Sequence, residues 1–509
     1  MAVYQSPGVY VKEIPSGSKP IEGVGTAIAA FVGLTEKGPP GQATLVPNWG
    51  EYTRAFGGFV SGYTTPLAIY SYFENGGGRC YVVRTNADEP AAAPVALLPA
   101  GANAAIGSLR ARAIDAGASV SVEVAPASEP NDETFKFVVR GPDGAVEEYD
   151  NVSLKRGKGN VVAEVKARSK FVVLEELAAD GSVAERRPAV GTYALTAVES
   201  GPTAAEPERF SGDVAKRTGV AGLEAVEEVT MVLAPDVMPL QAAGALSMDQ
   251  AVGIQLSLIS HCERMASRVA IIDTPPGLDA QGVFNWRQQV LKADTSYAAL
   301  YYPWIKVIDP ATRQPTFMPP SGALAGIWGR NDDNRGVHKA PANEAVRGAL
   351  DVQLQLTSAE QGLLNPAGIN CIRVFPRGGV RVWGARTLAQ VDPEFKYLNV
   401  RRLFNFIKSS IMQGTQWSVF EPNDLLLWAK LRRNTSAFLN RVWRDGALFG
   451  ATPDEAFYVK CDAETNPQEV IEAGQVVVEI GLAPVRPAEF VIFNIRQIAP
   501  GEGGGGGEG

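Results

Sequence analysis

The chain has 509 residues, 45% of them hydrophobic and 20% charged, with a formal net charge of −8. That length exceeds what one hydrophobic core serves, so roughly two to four domains are expected, and the ordinary globular balance excludes a mostly disordered chain. No stretch approaches the roughly 18 apolar residues of a membrane helix, so direct membrane insertion is not expected, and the acidic excess argues against binding nucleic acid.

The opening MAVYQSPGVYVKE has no basic stretch and no continuous apolar run, so no secretory leader is expected and synthesis is expected to end in the cytoplasm. Residues 1–22 alternate apolar and polar side chains around Pro7 and Pro15, which predicts an extended arm whose short strand centres on Val9, Tyr10 and Val11. From Thr26 to Arg84, strand-like TAIAAFVGL, the turn KGPPG, a helical segment near Leu67–Phe73 and strand-like RCYVVR begin an α/β layer. Ala/Pro-rich residues 87–105 and the segment ESGPTAAEPERFSGD bracket short period-two runs, SVSVEV, TFKFVVR and KFVVLEEL, so 89–216 reads as an inserted β-rich domain. Helix and strand then alternate again through EVTMVLAPD, a helix around Met248–Ala266, RVAIIDTPPG and YAALYYPW, the pattern of βαβ units on a mostly parallel sheet. The predicted fold class is α/β (α+β, multidomain), with a discontinuous domain over 23–88 and 217–370. A last α+β domain over 371–498 passes through a helix-rich stretch, Arg401–Leu448, and finishes with strand-like AFYVKC, QVVVEIGL and EFVIFNIRQI. Residues 499–509, rich in glycine, read as a flexible tail.

A search for covalent chemistry finds little. Cys80, Cys262, Cys371 and Cys461 are scattered without a CxxC and read as core thiols. His261 follows a helical pattern and reads as a packed or a satisfied surface residue rather than half of a Cys/His dyad. His338 lies in GRNDDNRGVHKAPAN, which reads as a solvated or interface loop, because adjacent carboxylates there diverge. No GxxxxGK[ST] or GxSxG occurs, and the one GxGxxG, at Gly501, Gly503 and Gly506, has neither a strand before it nor a helix after it. DTPPG ends a strand where open α/β sheets bind ligands, but reads as a turn. No catalytic residue, metal or cofactor is expected, and the chain reads as a non-enzyme.

Charge is unevenly spread. Arg373–Arg444 holds 13 basic against 4 acidic residues, a net of +9, whereas Asp445 to the C-terminus holds 3 against 11, a net of −8. In the basic stretch Arg401, Arg402, Lys408, Lys430, Arg432, Arg433, Arg441 and Arg444 recur among apolar residues, which by itself fits a solvated helix face. Trp383, Trp417, Trp428 and Trp443 have apolar neighbours and read as core aromatics, and Asn423 reads as the cap of a helix opening at Asp424.

Taken in series, SPGVYVKE, AAFVGLTEKGP, YYPWIKV, PPSGALAGIWGRND, GVHKAPAN and LNPAGINCIR, then VWGARTL, VRRLFNFIKSSI, VFEPND, FLNRVWRDGALFG, EAFYVKCD and PAEFVIFNI, resemble in order and spacing the contractile tail sheath family of myophages and contractile injection systems. The resemblance covers about residues 24–84 and 218–498, and the insert has no close counterpart, as expected of that family's variable outward-facing domain. It implies a structural subunit that forms a helical homo-oligomer around an inner tube protein, meets baseplate and terminal cap proteins, and contracts. It also implies that Val9, Tyr10, Val11 and Phe490, Val491, Ile492, Phe493 are linker arms between subunits, and that the basic set faces an acidic tube. Assembly would take place in the bacterial cytoplasm, and the final site would be a virion tail or an injection particle. Two other readings stay open: an α/β enzyme with an unrecognised site, which turnover would reveal, and a monomeric binding module whose terminal strands pair within one chain.

Overall fold

A computed structural model of the chain describes residues 20–86, 95–101, 107–114, 120–141, 144–177, 182–195 and 206–493. The chain divides into two compact units, with breaks at Thr85/Asn86 and Ala205/Glu206. Strands β1 (Ala29–Gly33), β2 (Thr44–Val46) and β3 (Cys80–Arg84) open the first unit. Strands β4 (Val95–Pro99), β5 (Gly107–Ala113), β6 (Ser121–Ala125), β7 (Phe135–Arg140), β8 (Val146–Val152), β9 (Val172–Glu176) and β10 (Gly191–Ala194) form the second. The first resumes with β11 (Met231–Leu233), β12 (Val269–Asp273), β13 (Ala298–Tyr302), β14 (Ile305–Ile308), β15 (Pro315–Met318) and β16 (Ala349–Val352). It ends with β17 (Ile369–Phe375), β18 (Gly379–Val382), β19 (Phe457–Lys460) and β20 (Glu479–Leu482).

The apolar runs AAFVG, MVL, VAIID and AALYY are buried along their whole length. Strands covered on both faces lack the alternation of a half-exposed sheet and pair in parallel. They lie side by side in an eight-stranded sheet of order β18-β17-β13-β12-β11-β1-β3-β2. The six central strands are parallel, and β18 and β2 close the two edges antiparallel. Residues from both sides of the second unit therefore share one sheet, as the α/β pattern predicts. Its two remaining strands, β17 and β18, lie mostly beyond residue 370, because the buried run Ile369–Ile372 continues the apolar pattern of the sheet before the chain turns back into β18.

Two helices cover one face at unusually close range. Gly322 and Gly326, on the helix Ser321–Arg335, face Ala68 and Tyr72 on the helix Thr65–Glu74, where a Cβ at either glycine would strike main-chain atoms. The same long helix absorbs Gly329–Arg335, which the sequence reads as part of a polar loop. Asn331 is buried and donates to Lys339 O at 2.8 Å, so tertiary contacts override the poor helix propensity of Asn and Asp there.

The second unit holds two antiparallel sheets, β10-β6-β7-β8 and β4-β5-β9, around its own core of Phe135, Phe137, Tyr149, Val165 and Leu174. Residues 206–216, read from sequence as the end of the insert, pack with the first unit. Phe210 on the short helix Pro207–Ser211 is 1% exposed, so its burial sets the break earlier than composition suggests.

Candidate assembly surface

The sequence singles out residues on two helices and the chain that follows them. The helix Leu398–Gly414 buries Leu403 and Ile407, and the helix Leu425–Arg444 buries Leu431, Phe438, Leu439 and Val442. Apolar positions three and four apart give each helix one buried stripe. Leu403, Ile407, Phe438, Leu439 and Val442 close a core apart from the sheet with Ile21, Ala447, Leu448 and Ala456, while Leu431 joins a smaller one with Leu427, Trp428 and Cys461. The cap of the second helix is Asp424, which accepts from Leu427 N at 2.8 Å. Asn423, the predicted cap, instead accepts from Trp428 Nε1 at 2.8 Å and donates to Gln475 O at 2.8 Å, since a buried indole N–H demands a partner. Trp428 is buried and Trp417 and Trp443 half-buried, but Trp383 is 37% exposed and leans on Phe375, so it is no core residue.

The eight basic side chains do not form one set. Arg401 and Arg402 are buried, which corrects the expectation that they belong to a solvent-accessible, tube-facing set. Arg401 donates to Ser296 Oγ at 3.0 Å and lies over the Phe395 ring, 3.5 Å from its centroid. Arg402 grips Asp332 through two bonds of 2.6 and 2.9 Å and lies over Trp328. Helical phase turns both inward onto the aromatic and acidic groups of the sheet domain. Arg441 donates to the Ile21 carbonyl, Arg432 to Cys461 O at 3.2 Å and Lys408 to Ala266 O at 3.4 Å. Lys430, Arg433 and Arg444 are exposed and make no ion pair or hydrogen bond among the described residues. Their spacing puts them along one solvated stripe of the helix.

Val9, Tyr10 and Val11 lie outside the described residues. Phe490, Val491, Ile492 and Phe493 are 70–83% exposed and belong to no strand. The residue just before them is tightly held. Glu489 accepts from Arg386 Nε at 2.9 Å and from the other fork nitrogen at 2.6 Å, from Asn365 Nδ2 at 2.6 Å and from the Tyr397 hydroxyl at 3.0 Å. Burial pushes its carboxyl up, but these donors and the Arg386 charge hold it below the usual carboxylate range. Glu489 falls inside the segment PAEFVIFNI, but nothing in that segment indicates its partners, which three converging segments of the chain supply.

Other polar groups are engaged in the fold. Asp236 accepts from Leu34 N at 2.6 Å and from Thr65 N at 3.0 Å, and Asp273 from Ser321 N at 3.1 Å, so carboxylates near the ends of parallel strands cap neighbouring segments. Of the two readings of His261, the packed one holds: its Nε2 lies 2.9 Å from Arg268, and burial followed by that charge pushes it down to about 3. All four cysteines are buried and unpaired. Among the described residues no cluster of His, Cys, Asp or Glu could hold a metal, and no helix is long and apolar enough to cross a membrane.

Comparisons with known proteins give a consistent picture. The family profile for the phage tail sheath protein central domain matches residues 235–388, and that for the phage tail sheath C-terminal domain matches 390–498. The tail sheath protein of Burkholderia phage BcepMu is 25% identical over 508 residues, covering 97% of each chain. That of Salmonella phage ViI is 26% identical over 267 residues, and the matched part is 41% of its length, so this chain spans less than half of that relative. Among solved structures, the contracted sheath complex of the extracellular contractile injection system PVC shares the fold with a TM-score of 0.59, at 24% identity, over 98% of this chain and 99% of that one. The contracted helical sheath of the anti-feeding prophage shares it with a TM-score of 0.56, at 24% identity, over 97% of this chain and 100% of that one.

Proposed function

Because the chain belongs to the contractile tail sheath family, we propose that it is a structural subunit that polymerises helically around an inner tube and contracts to drive that tube through a target envelope, without covalent chemistry or a cofactor. The observation that carries this reading is a sheath fold in which four apolar residues, Phe490–Phe493, stand exposed immediately after the pinned Glu489. An extended apolar segment of this kind gains stability by adding to a sheet edge of a neighbour. Each main-chain hydrogen bond so formed contributes only about 1 kcal/mol net, but several per arm, repeated over the lattice, make a cohesive mesh. The arm around Val9, Tyr10 and Val11 would act in the same way at the other end. Energy for contraction would come from the difference in contacts between an extended and a contracted lattice.

Lys430, Arg432, Arg433 and Arg444 on the helix Leu425–Arg444, and Lys408 on the helix Leu398–Gly414, are the candidates for a face toward an acidic tube. Exposed charge pairs suit a contact that must release, since each is worth about 0–1 kcal/mol and is screened by salt. The inserted unit would face outward, and baseplate and terminal cap proteins would bound the polymer. The particle would be a phage tail or an injection system assembled in the bacterial cytoplasm. Negative-stain microscopy of the purified chain at increasing concentration tests the reading: helical tubes are expected, and a chain that stays monomeric throughout would defeat it.

A further inference from the structure

We propose that the helix Leu398–Gly414 is a crossbar carrying the roots of both terminal arms, so that tension entering by one arm leaves by the other along this helix. The inference rests on the arm reading above. The helix has 17 residues, about 25 Å at 1.5 Å per residue. Its beginning holds the C-terminal root: the Tyr397 hydroxyl donates to Glu489 at 3.0 Å, and Asn399 Nδ2 donates to Val485 O at 3.2 Å. The N-terminal root runs along it from the second turn to the end. Arg402 donates to Thr26 O at 3.0 Å, and Ser410 Oγ accepts from Val24 N at 3.1 Å.

Steric fit reinforces these bonds. Ile21 is fully buried in the core that includes Leu403 and Ile407, and it abuts Gly414 so closely that a Cβ there would come within 2.8 Å of it. Arg441, from the adjoining helix, donates to the carbonyl of the same Ile21. Most of these bonds go to main-chain atoms of the arm roots, so they fix where each arm leaves the subunit without depending on the arm's own side chains. A continuous helix between the two roots transmits pull through its own hydrogen-bond ladder.

The test uses full-length variants, with tube length in micrographs after a fixed dose of shear and monomer melting by circular dichroism as readouts. V491P/I492P removes main-chain donors from the C-terminal arm itself, E489A releases its root, and S410A/R441A weakens the opposite root. All three are expected to shorten sheared tubes several-fold. Monomer melting stays close to the parent in V491P/I492P and S410A/R441A but drops in E489A, which leaves the buried Arg386 without its carboxylate, so shortening does not follow melting across the series. E489Q, which keeps hydrogen-bonding groups at that position, recovers part of the length. If the roots lie in series on one path, E489A combined with S410A/R441A breaks no more readily than the weaker of the two, because losing either root interrupts the same path. Losses that multiply in the combined variant, or an E489A polymer as robust as the parent while V491P/I492P fails, would overturn the crossbar and leave the arm reading standing. Normal tubes from V491P/I492P would instead remove the arm reading and the crossbar with it. A fall in monomer melting that tracks the loss of length would reduce Glu489 to a fold-stabilising role and overturn the proposal too.

Discussion

Asp273 is the last residue of β12, and its buried carboxyl has one main-chain partner, Ser321 N at 3.1 Å. Burial pushes this group up from 3.8 to about 7, against the pull of that bond. The folded chain thus keeps a proton that the unfolded chain loses between those two values. This group's favourable contribution is complete below pH 3.8 and is lost as pH rises to about 7. Asp273→Asn, which keeps an acceptor but cannot ionise, is expected to flatten the slope of stability across that window. It should also raise stability at pH 8 by on the order of 4 kcal/mol relative to the parent, read from urea titrations at several pH values. A variant with the parent's pH slope would show that Asp273 ionises in the folded chain at little cost.

At the scale of elements, close helix packing and exposed charge make opposite demands. Gly326 faces the Tyr72 carbonyl with no room for a side chain, so Gly326→Ala must push apart the helices Ser321–Arg335 and Thr65–Glu74. A loss of about 1–3 kcal/mol is expected from that overpacking, measurable by chemical denaturation, and an unchanged midpoint would mean the helices separate freely. The exposed stripe of the helix Leu425–Arg444 predicts the reverse pattern. Reversing Lys430 and Arg433 together should leave monomer melting within about 0.5 kcal/mol of the parent. Co-assembly with the tube in the extended state should be lost while tube-free contracted polymers still form. Co-assembly that survives at low and high salt alike would return these residues to the role of an ordinary solvated face.

For the whole molecule, the second unit has its own core and its own two sheets, and the first unit's sheet is complete without it. Replacing residues 87–205 with a short Gly/Ser linker between Asn86 and Glu206 is therefore expected to leave a cooperatively folding chain. Under the outward placement proposed for the insert, its polymers would be tubes of smaller outer diameter. Failure to fold would mean the first unit depends on the second, and an unchanged diameter would place the insert elsewhere than on the outside.

Sequence alone determined the layers. Buried strands such as AAFVG and VAIID are continuous apolar runs, helices such as Met248–Met265 carry a 3.6-residue period and a capping box, and the insert's strands alternate every second residue. These are local signals, set by which faces of one element must leave water. The serial motifs of the last third also carried the family, because they recur in order along the chain. Only the tertiary structure decided the roles of individual charges. Arg401, Arg402 and Lys430 look alike in a basic stretch, yet two are buried on Phe395 and Asp332 while the third stands in solvent. Glu489 was illegible for the same reason, since its partners Asn365, Arg386 and Tyr397 lie 92 to 124 positions away along the chain. A side chain's local pattern fixes the face it occupies, whereas its electrostatic partner depends on what the rest of the fold brings to that face.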